Sequence, residues 1–583
     1  MRFRFVTLFF VIISVVLQAQ PLPEGGNNIV NYKRLRYLNY QKDNLGSAVS
    51  DKAKNPADIT LTVETASHPD FIYHLSVKIP LQPVRIEQKE VLLLSFEAKT
   101  IEASLETGEA RTHWVFNVSE NPKERIMHTL SISSDWKQYY IPIEMNRAAD
   151  EAYFRMVLQF GFPPQKLVLR DLQLLVFPAG TQVADLPRTK IEYAGMEPDA
   201  AWREEALQRI EQHRKGDFQL RFTRNGKPVK RMAVQLDLKR HHFSWGAAMN
   251  AQNIVESEAH LQHFSEAFNL GVFANDLKIK FWNKPGRKEQ TLRAIDLLEE
   301  RRVDIKGHVL IWPGFRHLPK WFRNHKNKPE KLSRLIDRHL DDILEATRGK
   351  VSRWDVVNEA YTNTDLQEIT GSEEILYNGF RKLHKKEPEV LRYVNEYGII
   401  SKGGLDKKKQ EWYLDYIKRI DENTGGLVDG IGIQCHHGSD LPPPEKVLEI
   451  LDFYASLNKK ISISEFTMDI DDPDLRRQYT ADFITAAFSH PAVHEFLFWG
   501  YQGKKADIFT DDWQLGEMGQ AYFSLVHGDW KTRLVEKTDR DGCINSRGFF
   551  GTYAYTFIEG NQVVKGEFQL LPGESGVVEI ELK

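Results

Sequence analysis

Arg353-Trp354-Asp355-Val356-Val357-Asn358-Glu359-Ala360 is an apolar, β-branched run that closes on an amide and a carboxylate. Such residues suit a buried pleated surface, where a glutamate has little reason to stand unless it does chemistry. Ile461-Ser462-Ile463-Ser464-Glu465 repeats the design further along the chain. Two strand-type runs that each end on a glutamate make Glu359 and Glu465 a candidate carboxylate pair.

Working outward, short apolar runs alternate with amphipathic helical patterns from about residue 243 to 526. The runs are 243–249, 270–274, 305–311, 353–358, 390–395, 430–434, 461–464 and 495–499. Eight strands spaced by helices are the rhythm of a (β/α)₈ barrel, whose working groups collect at the C-terminal strand ends. A doubly wound sheet shares that rhythm, although no Gly-rich phosphate loop follows the first strand. Paired carboxylates at two such ends fit glycoside hydrolysis, in which one acts as nucleophile and the other as acid and then base. The acid must hold its proton near neutral pH, which its surroundings and the neighbouring negative charge would arrange.

The flanks read differently. Residues 27–183 show period-two runs at 91–98, 113–118 and 166–175 without intervening helices, which predicts a β-sandwich, and its pattern resembles a jelly-roll module. Residues 184–240 read as a linker, a charged helix and a strand pair, 241–530 as the barrel, and 531–583 as a small β-module. Trp114, Phe116 and Tyr139 are expected in the sandwich core rather than on a stacking surface.

Over 583 residues, 78 basic side chains against 81 acidic ones leave a net charge of only -3. That balance argues for neutral partners and against nucleic acid. Arg2 and Arg4 precede an apolar run from Phe5 to Leu17, and a polar stretch follows. This is the layout of a secretory leader cut after Ala19, in a run shorter than the roughly 20 residues that span a bilayer. A secreted or periplasmic protein without a membrane span is therefore expected, and a monomer. Cys435 and Cys543 are the only cysteines, so no disulfide framework is expected, and Cys435 sits in a strand-like run as core filler. His436-His437 and His241-His242 alternate across strands and suit one metal ion poorly, so neither a catalytic metal nor a cofactor is expected.

Six segments, in order, resemble glycoside hydrolase family 10, the β-1,4-xylanases, together with an N-terminal carbohydrate-binding-module-like sandwich. They are Lys306-Gly307-His308-Val309-Leu310-Ile311-Trp312, Trp354-Asp355-Val356-Val357-Asn358-Glu359, Tyr393-Val394-Asn395-Glu396-Tyr397, Asp429-Gly430-Ile431-Gly432-Ile433-Gln434-Cys435-His436, Ser464-Glu465-Phe466 and Phe498-Trp499-Gly500. The resemblance implies Glu359 as acid/base and Glu465 as nucleophile. It implies Asn358 on the 2-hydroxyl of the reacting sugar, His436 on the nucleophile, and His308, Gln434, Asn275 and Lys278 as polar groups of the glycone subsites. Trp312 and Trp499 become aromatic walls, apolar faces that suit the C–H surface of a pyranose.

Departures from the family pattern bear on selectivity. Ala274 stands before Asn275 where relatives carry a glutamate, Pro313 replaces a histidine, and residues 501–505 lack a further tryptophan. Thr467 stands where relatives often place an aspartate beside the nucleophile's histidine; Asp469 is a substitute two residues on. The expected function is a secreted retaining endo-β-1,4-xylanase acting on a polysaccharide. The same mechanism on another β-glycan or a decorated xylan stays open, as does a catalytically weak glycan-binding protein.

Overall fold

The eight apolar runs close into one parallel barrel: β1 (Ser244–Met249), β2 (Leu270–Phe273), β3 (Asp304–Ile311), β4 (Arg353–Asn358), β5 (Leu391–Glu396), β6 (Gly430–His437), β7 (Lys460–Met468) and β8 (Val493–Phe498). Closure is made by β1 on β8, with Ser244 opposite Glu495. The computed structural model describes residues 24–582 except 106, 107, 122, 123, 471, 504 and 575. The leader read over residues 1–19 lies outside them. Two compact units divide the chain between Lys190 and Ile191.

The first unit holds two antiparallel sheets. One runs in the order Asn39–Lys42, Gly46–Ser50, Leu61–Thr65, Gln165–Phe177, Val91–Ala103 and Lys137–Glu144; the other runs Ser76–Ile79, Arg155–Gln159, Ala110–Asn117 and Ile126–Ile132. Alternation along each strand sends one face inward, where Trp114, Phe116 and Tyr139 are buried among Phe96, Leu167 and Leu169.

In the second unit the barrel strands are apolar without alternation because both their faces are covered, outside by helices and inside by one another. Helix termini follow the sequence. Asp406 accepts the Lys409 backbone N–H at the start of helix Lys407–Thr424, and Gly425 ends that helix at φ 79°. Asp472 and Pro473 open Pro473–Ser489 in the same way. The stretches before and after the barrel share two four-stranded sheets. Lys215–Arg224 pairs antiparallel with Cys543–Phe549 and parallel with Val577–Leu582. Ala233–His241 pairs with Arg533–Lys537 and with Gly551–Glu559. Phe218 packs against Tyr553 and Phe568 across these sheets, with ring centroids 5.8 and 5.5 Å away.

Two barrel strands are longer than their sequence patterns. The 430–434 run continues to His437, and the 461–464 run continues to Met468. Glu465 therefore stands inside β7 and not at its end. Register slips there, between Ile433 and Gln434 on β6 and between Ile463 and Phe466 on β7. In a regular strand successive side chains face opposite ways, yet Ser464 Oγ donates to Asn395 Oδ1 and the next residue, Glu465, accepts from Asn395 Nδ2. The bulge is what turns both toward one side. On β4 a slip between Asp355 and Val357 does the same for Asp355 and Asn358, three residues apart.

The barrel interior holds a buried ion cluster. Lys306 Nζ lies 2.7 Å from Glu495 Oε1, 3.2 Å from Asp355 Oδ1 and 3.1 Å from Ser462 Oγ, while Arg353 Nη1 lies 2.7 Å from Glu495 Oε2. Burial alone would raise the Glu495 carboxyl, but Lys306 and Arg353 overcome it and hold it down to about 2. Burial likewise pulls Lys306 toward neutrality, and Asp355 and Glu495 reverse this and hold it above the ordinary lysine range. Removing one member strands the others in a medium that penalises unpaired charge. Lys306→Met should lower the unfolding free energy by about 3–5 kcal/mol, read by urea denaturation.

Three histidines, the buried His339 and His437 and the half-buried His241, are held as neutral rings. Burial holds His339 down to about 4, and His241 and His437 down to about 3, against an ordinary 6.5. Below pH 6.5 the unfolded chain therefore binds protons that the folded chain refuses, so stability is lost as pH falls through this window. Urea midpoints should drop from pH 6.5 toward pH 4, and His339→Met should flatten that slope.

Candidate active site

Glu359 is the first residue past β4 and takes a left-handed conformation at φ 51°, unusual for a residue with a Cβ. Its backbone N–H donates to Asn395 O at 2.9 Å, and its carbonyl accepts from Asn363 Nδ2 at 2.8 Å. Gln434 Nε2 donates to Glu359 Oε1 at 3.3 Å, and Arg316 Nη2 lies 3.9 Å from Oε2. Glu465 accepts from Asn395 Nδ2 at 2.9 Å on Oε1, and its Oε2 lies 3.2 Å from His436 Nε2. Both carboxylates are about 95% buried, at 5% and 3% exposure.

Three amides connect the two acids. From Glu359 Oε1 the path runs to Gln434 Nε2, which also donates to Asn358 Oδ1 at 3.3 Å. Asn358 Oδ1 accepts in turn from Asn395 Nδ2 at 2.9 Å, and that same amine reaches Glu465. Each amide uses one fork of a bifurcated contact, which fixes the carboxylate positions without placing a charge between them. Asn358 Nδ2 and Gln434 Oε1 are buried and have no hydrogen-bond partner among the described residues. A buried donor and a buried acceptor left open in this way are ready for a polyhydroxylated ligand.

The other sequence candidates form an aromatic corner. His308 Nδ1 lies 2.9 Å from Asp355 Oδ2, which ties its ring to the ion cluster. Trp499 and Trp312 stand edge-on to His308, with centroids 5.2 and 6.1 Å away. Lys278 Nζ sits 4.7 Å from the Trp312 centroid and donates to Asn275 Oδ1 at 3.2 Å. His317, unmarked by the sequence pattern, stacks on Trp312 at 3.4 Å. Ala274 packs against the buried cluster of Ala248, Leu270, Val272 and Leu497, so a methyl group stands where the resemblance places an acidic side chain.

Asn395 is the residue that sequence reasoning left without a role, although it touches Asn358, Glu465 and Ser464. Its signal was legible: Val394-Asn395-Glu396 repeats Val357-Asn358-Glu359 on the adjacent strand. The two glutamates part company in space. Glu396 is fully buried and lies 3.0 Å from Lys409 Nζ. His437, beside His436, faces the other way into Phe466, Tyr479 and Phe483.

The barrel is closed and carries buried carboxylates on β7 and just past β4. Residues 235–513 match the model of glycosyl hydrolase family 10. It is 28% identical over 366 residues to the anti-sigma-I factor RsgI6 of Acetivibrio thermocellus, covering 61% of this chain and 46% of that protein. It is 27% identical over 336 residues to endo-1,4-beta-xylanase 1 of Arabidopsis thaliana, covering 56% and 34%. The chain thus spans less than half the length of either relative. Among solved structures, xylanase 10B of Thermotoga petrophila in complex with xylobiose is 22% identical, with a TM-score of 0.44 over 49% of this chain and 95% of that one.

His436 Nδ1 lies 2.9 Å from Thr467 Oγ1, a neutral partner. Asp469 pairs with Lys505 at 3.3 Å. A carboxylate at position 467 would favour the imidazolium form of His436, placing a positive charge 3.2 Å from Glu465 Oε2. Thr467→Asp should therefore move the acidic limb of the kcat/KM profile to lower pH; an unchanged limb overturns this account.

Proposed function

We propose that the protein is a retaining endo-β-1,4-xylanase in which Glu465 is the nucleophile and Glu359 the acid/base. The observation that supports it most is the amide path through Gln434, Asn358 and Asn395, which binds both carboxylates into one rigid unit. In the first step Glu465 forms a bond to the anomeric carbon, the glycosidic C–O bond breaks, and Glu359 gives its proton to the leaving oxygen. In the second step Glu359 takes a proton from water, the hydroxide replaces Glu465 at the anomeric carbon, and configuration is retained. Asn358, with its amine unpartnered, holds the 2-hydroxyl, a contact that tightens as positive charge develops on the ring. His436 and Asn395 occupy the lone pairs of Glu465 that do not attack.

Trp312, Trp499, His308, Asn275 and Lys278 line the glycone side in this reading. The wall there lacks the family's carboxylate at Ala274, which favours a second reading: the same mechanism on another β-glycan or on a decorated xylan. A third, glycan binding with little turnover, draws support from the anti-sigma-I factor name of the Acetivibrio relative. Export through the 1–19 leader, a monomeric state and sugar binding by the N-terminal sandwich accompany the proposal.

Reducing-sugar release from xylans, mannans and glucans separates these readings, xylan being expected to lead. Glu465→Ala should abolish release, and product configuration read by proton NMR should be β at first formation. Glu359→Ala should slow xylan hydrolysis by about 10²–10⁴-fold. It should spare the first step on aryl xylosides whose leaving group needs no proton. Equal loss on both substrates removes Glu359 from the acid role.

A further inference from the structure

The near-neutral charge of the whole chain conceals a local excess. Between Lys320 and Arg338, on the stretch that follows β3, seven cations stand against two acids, while the chain as a whole carries -3. Lys320, Arg323, Lys326, Lys328, Lys331 and Arg334 are all exposed, and none forms an ion pair or a side-chain hydrogen bond with another described residue. A cleft of about 550 Å³ opens among them, and its lining includes His325, Lys328, Lys331 and Arg334, with Glu330 as its single acid.

Helix stability does not account for this arrangement. In helix Pro329–Ala346 the cations Lys331, Arg334 and Arg338 come early and the acids Asp341, Asp342 and Glu345 come late. The helix dipole favours the opposite order. The late acids are answered by other elements: Lys382 Nζ lies 2.9 Å from Asp341, Lys288 Nζ 2.7 Å from Asp342 and Lys386 Nζ 3.2 Å from Glu345. The early cations Lys331 and Arg334 meet no such counterpart. Lys328 takes the position before the helix, where a hydrogen-bond acceptor is favoured, and its side chain makes no cap. Like charges gathered in this way repel one another in the free protein, and an anion placed among them relieves that cost.

Trp321 supplies the second property of the ligand. Its ring is 49% exposed in the 3₁₀ turn Lys320–His325, edge-on to His325 at 6.1 Å and tilted against the buried Phe322 at 4.4 Å. An exposed indole among cations suits a sugar that carries a carboxylate, with its C–H face on the ring and its charge on the ammonium and guanidinium groups. The surface is also within reach of the candidate site. Arg316 Nη2 lies 3.9 Å from Glu359 Oε2, and His325 follows Arg316 by nine residues, a span of at most about 32 Å. We propose that the cleft at Trp321, Lys328, Lys331 and Arg334 is a docking surface, outside the candidate active site, for a uronate-bearing polysaccharide. This rests on the polysaccharide-hydrolase reading above and narrows its decorated-xylan alternative to acidic decorations.

The test measures Kd by affinity electrophoresis of the full chain in gels that contain glucuronoxylan or the same polymer with its carboxyl groups reduced to alcohols. Every protein carries Glu465→Ala, so that the polymer stays intact. This parent should bind the acidic polymer about tenfold more tightly than the reduced one, as three exposed charge contacts together supply. The preference should vanish as salt approaches about 1 M, where charges are screened within about 3 Å. Lys328→Ala, Lys331→Ala and Arg334→Ala combined should remove the preference and leave binding of the reduced polymer within about twofold. Their combined Tm should not fall, because the lost charges oppose the helix; a fall shows that they serve the fold and overturns the inference. Trp321→Ala should weaken binding of both polymers several-fold. Equal binding of the two polymers by the parent, a preference that survives the triple substitution, binding untouched by Trp321→Ala, or tighter binding of polyuridylic acid than of glucuronoxylan each overturns it as well. A wild-type chain that hydrolyses no xylan overturns the xylanase reading, while these binding outcomes decide the surface on their own.

Discussion

The Lys306 ammonium, buried with Glu495 and Asp355 inside the barrel, is the interaction on which the site stands. It joins β3, β4 and β8 and reaches Ser462 on β7. Asp355 then passes the constraint upward to His308. Desolvating this many charges costs several kcal/mol per ion unless each finds an opposite partner, so register between these strands is specified by charge as well as by shape. A slip of one residue in β3 would turn Lys306 and His308 out of the interior together.

Much of the barrel was legible because a parallel strand covered on both faces reads as an unbroken apolar run, and 353–358 coincides with β4 residue for residue. The ends of β6 and β7 were not legible. A histidine pair and Glu465-Phe466-Thr467 look like a change to loop chemistry, yet neighbouring strands carry the ladder on to His437 and Met468. Bulges leave no composition signal, since they arise from the packing of side chains that share one face. For the same reason the sequence put Glu465 at a strand end, whereas a bulge inside β7 aims it.

The candidate site was legible at its charged and aromatic members and at the amides Asn275, Asn358 and Gln434, and obscure at Asn395. Glu359, Glu465 and His436 stand out because their types are costly in strands. Asn395 does not, although three polar contacts converge on it. Glu396 shows why residue type alone misleads: it closes the same Val-Asn-Glu triplet as Glu359, but Lys409 neutralises it in the interior. The difference lies in helix Lys407–Thr424, remote in sequence from either triplet.

The strands that bracket the barrel set an order of assembly. Lys215–Arg224 leaves the ribosome before the barrel, but its parallel partner Val577–Leu582 follows the barrel. Contacts of such long separation form late, because loop closure has to be completed before they contribute. The barrel can close while its flanking strand still waits with an aromatic face exposed, Phe218 and Phe222 included. A nascent chain of this protein thus carries an unfinished aromatic face until the strands beyond the barrel cover it.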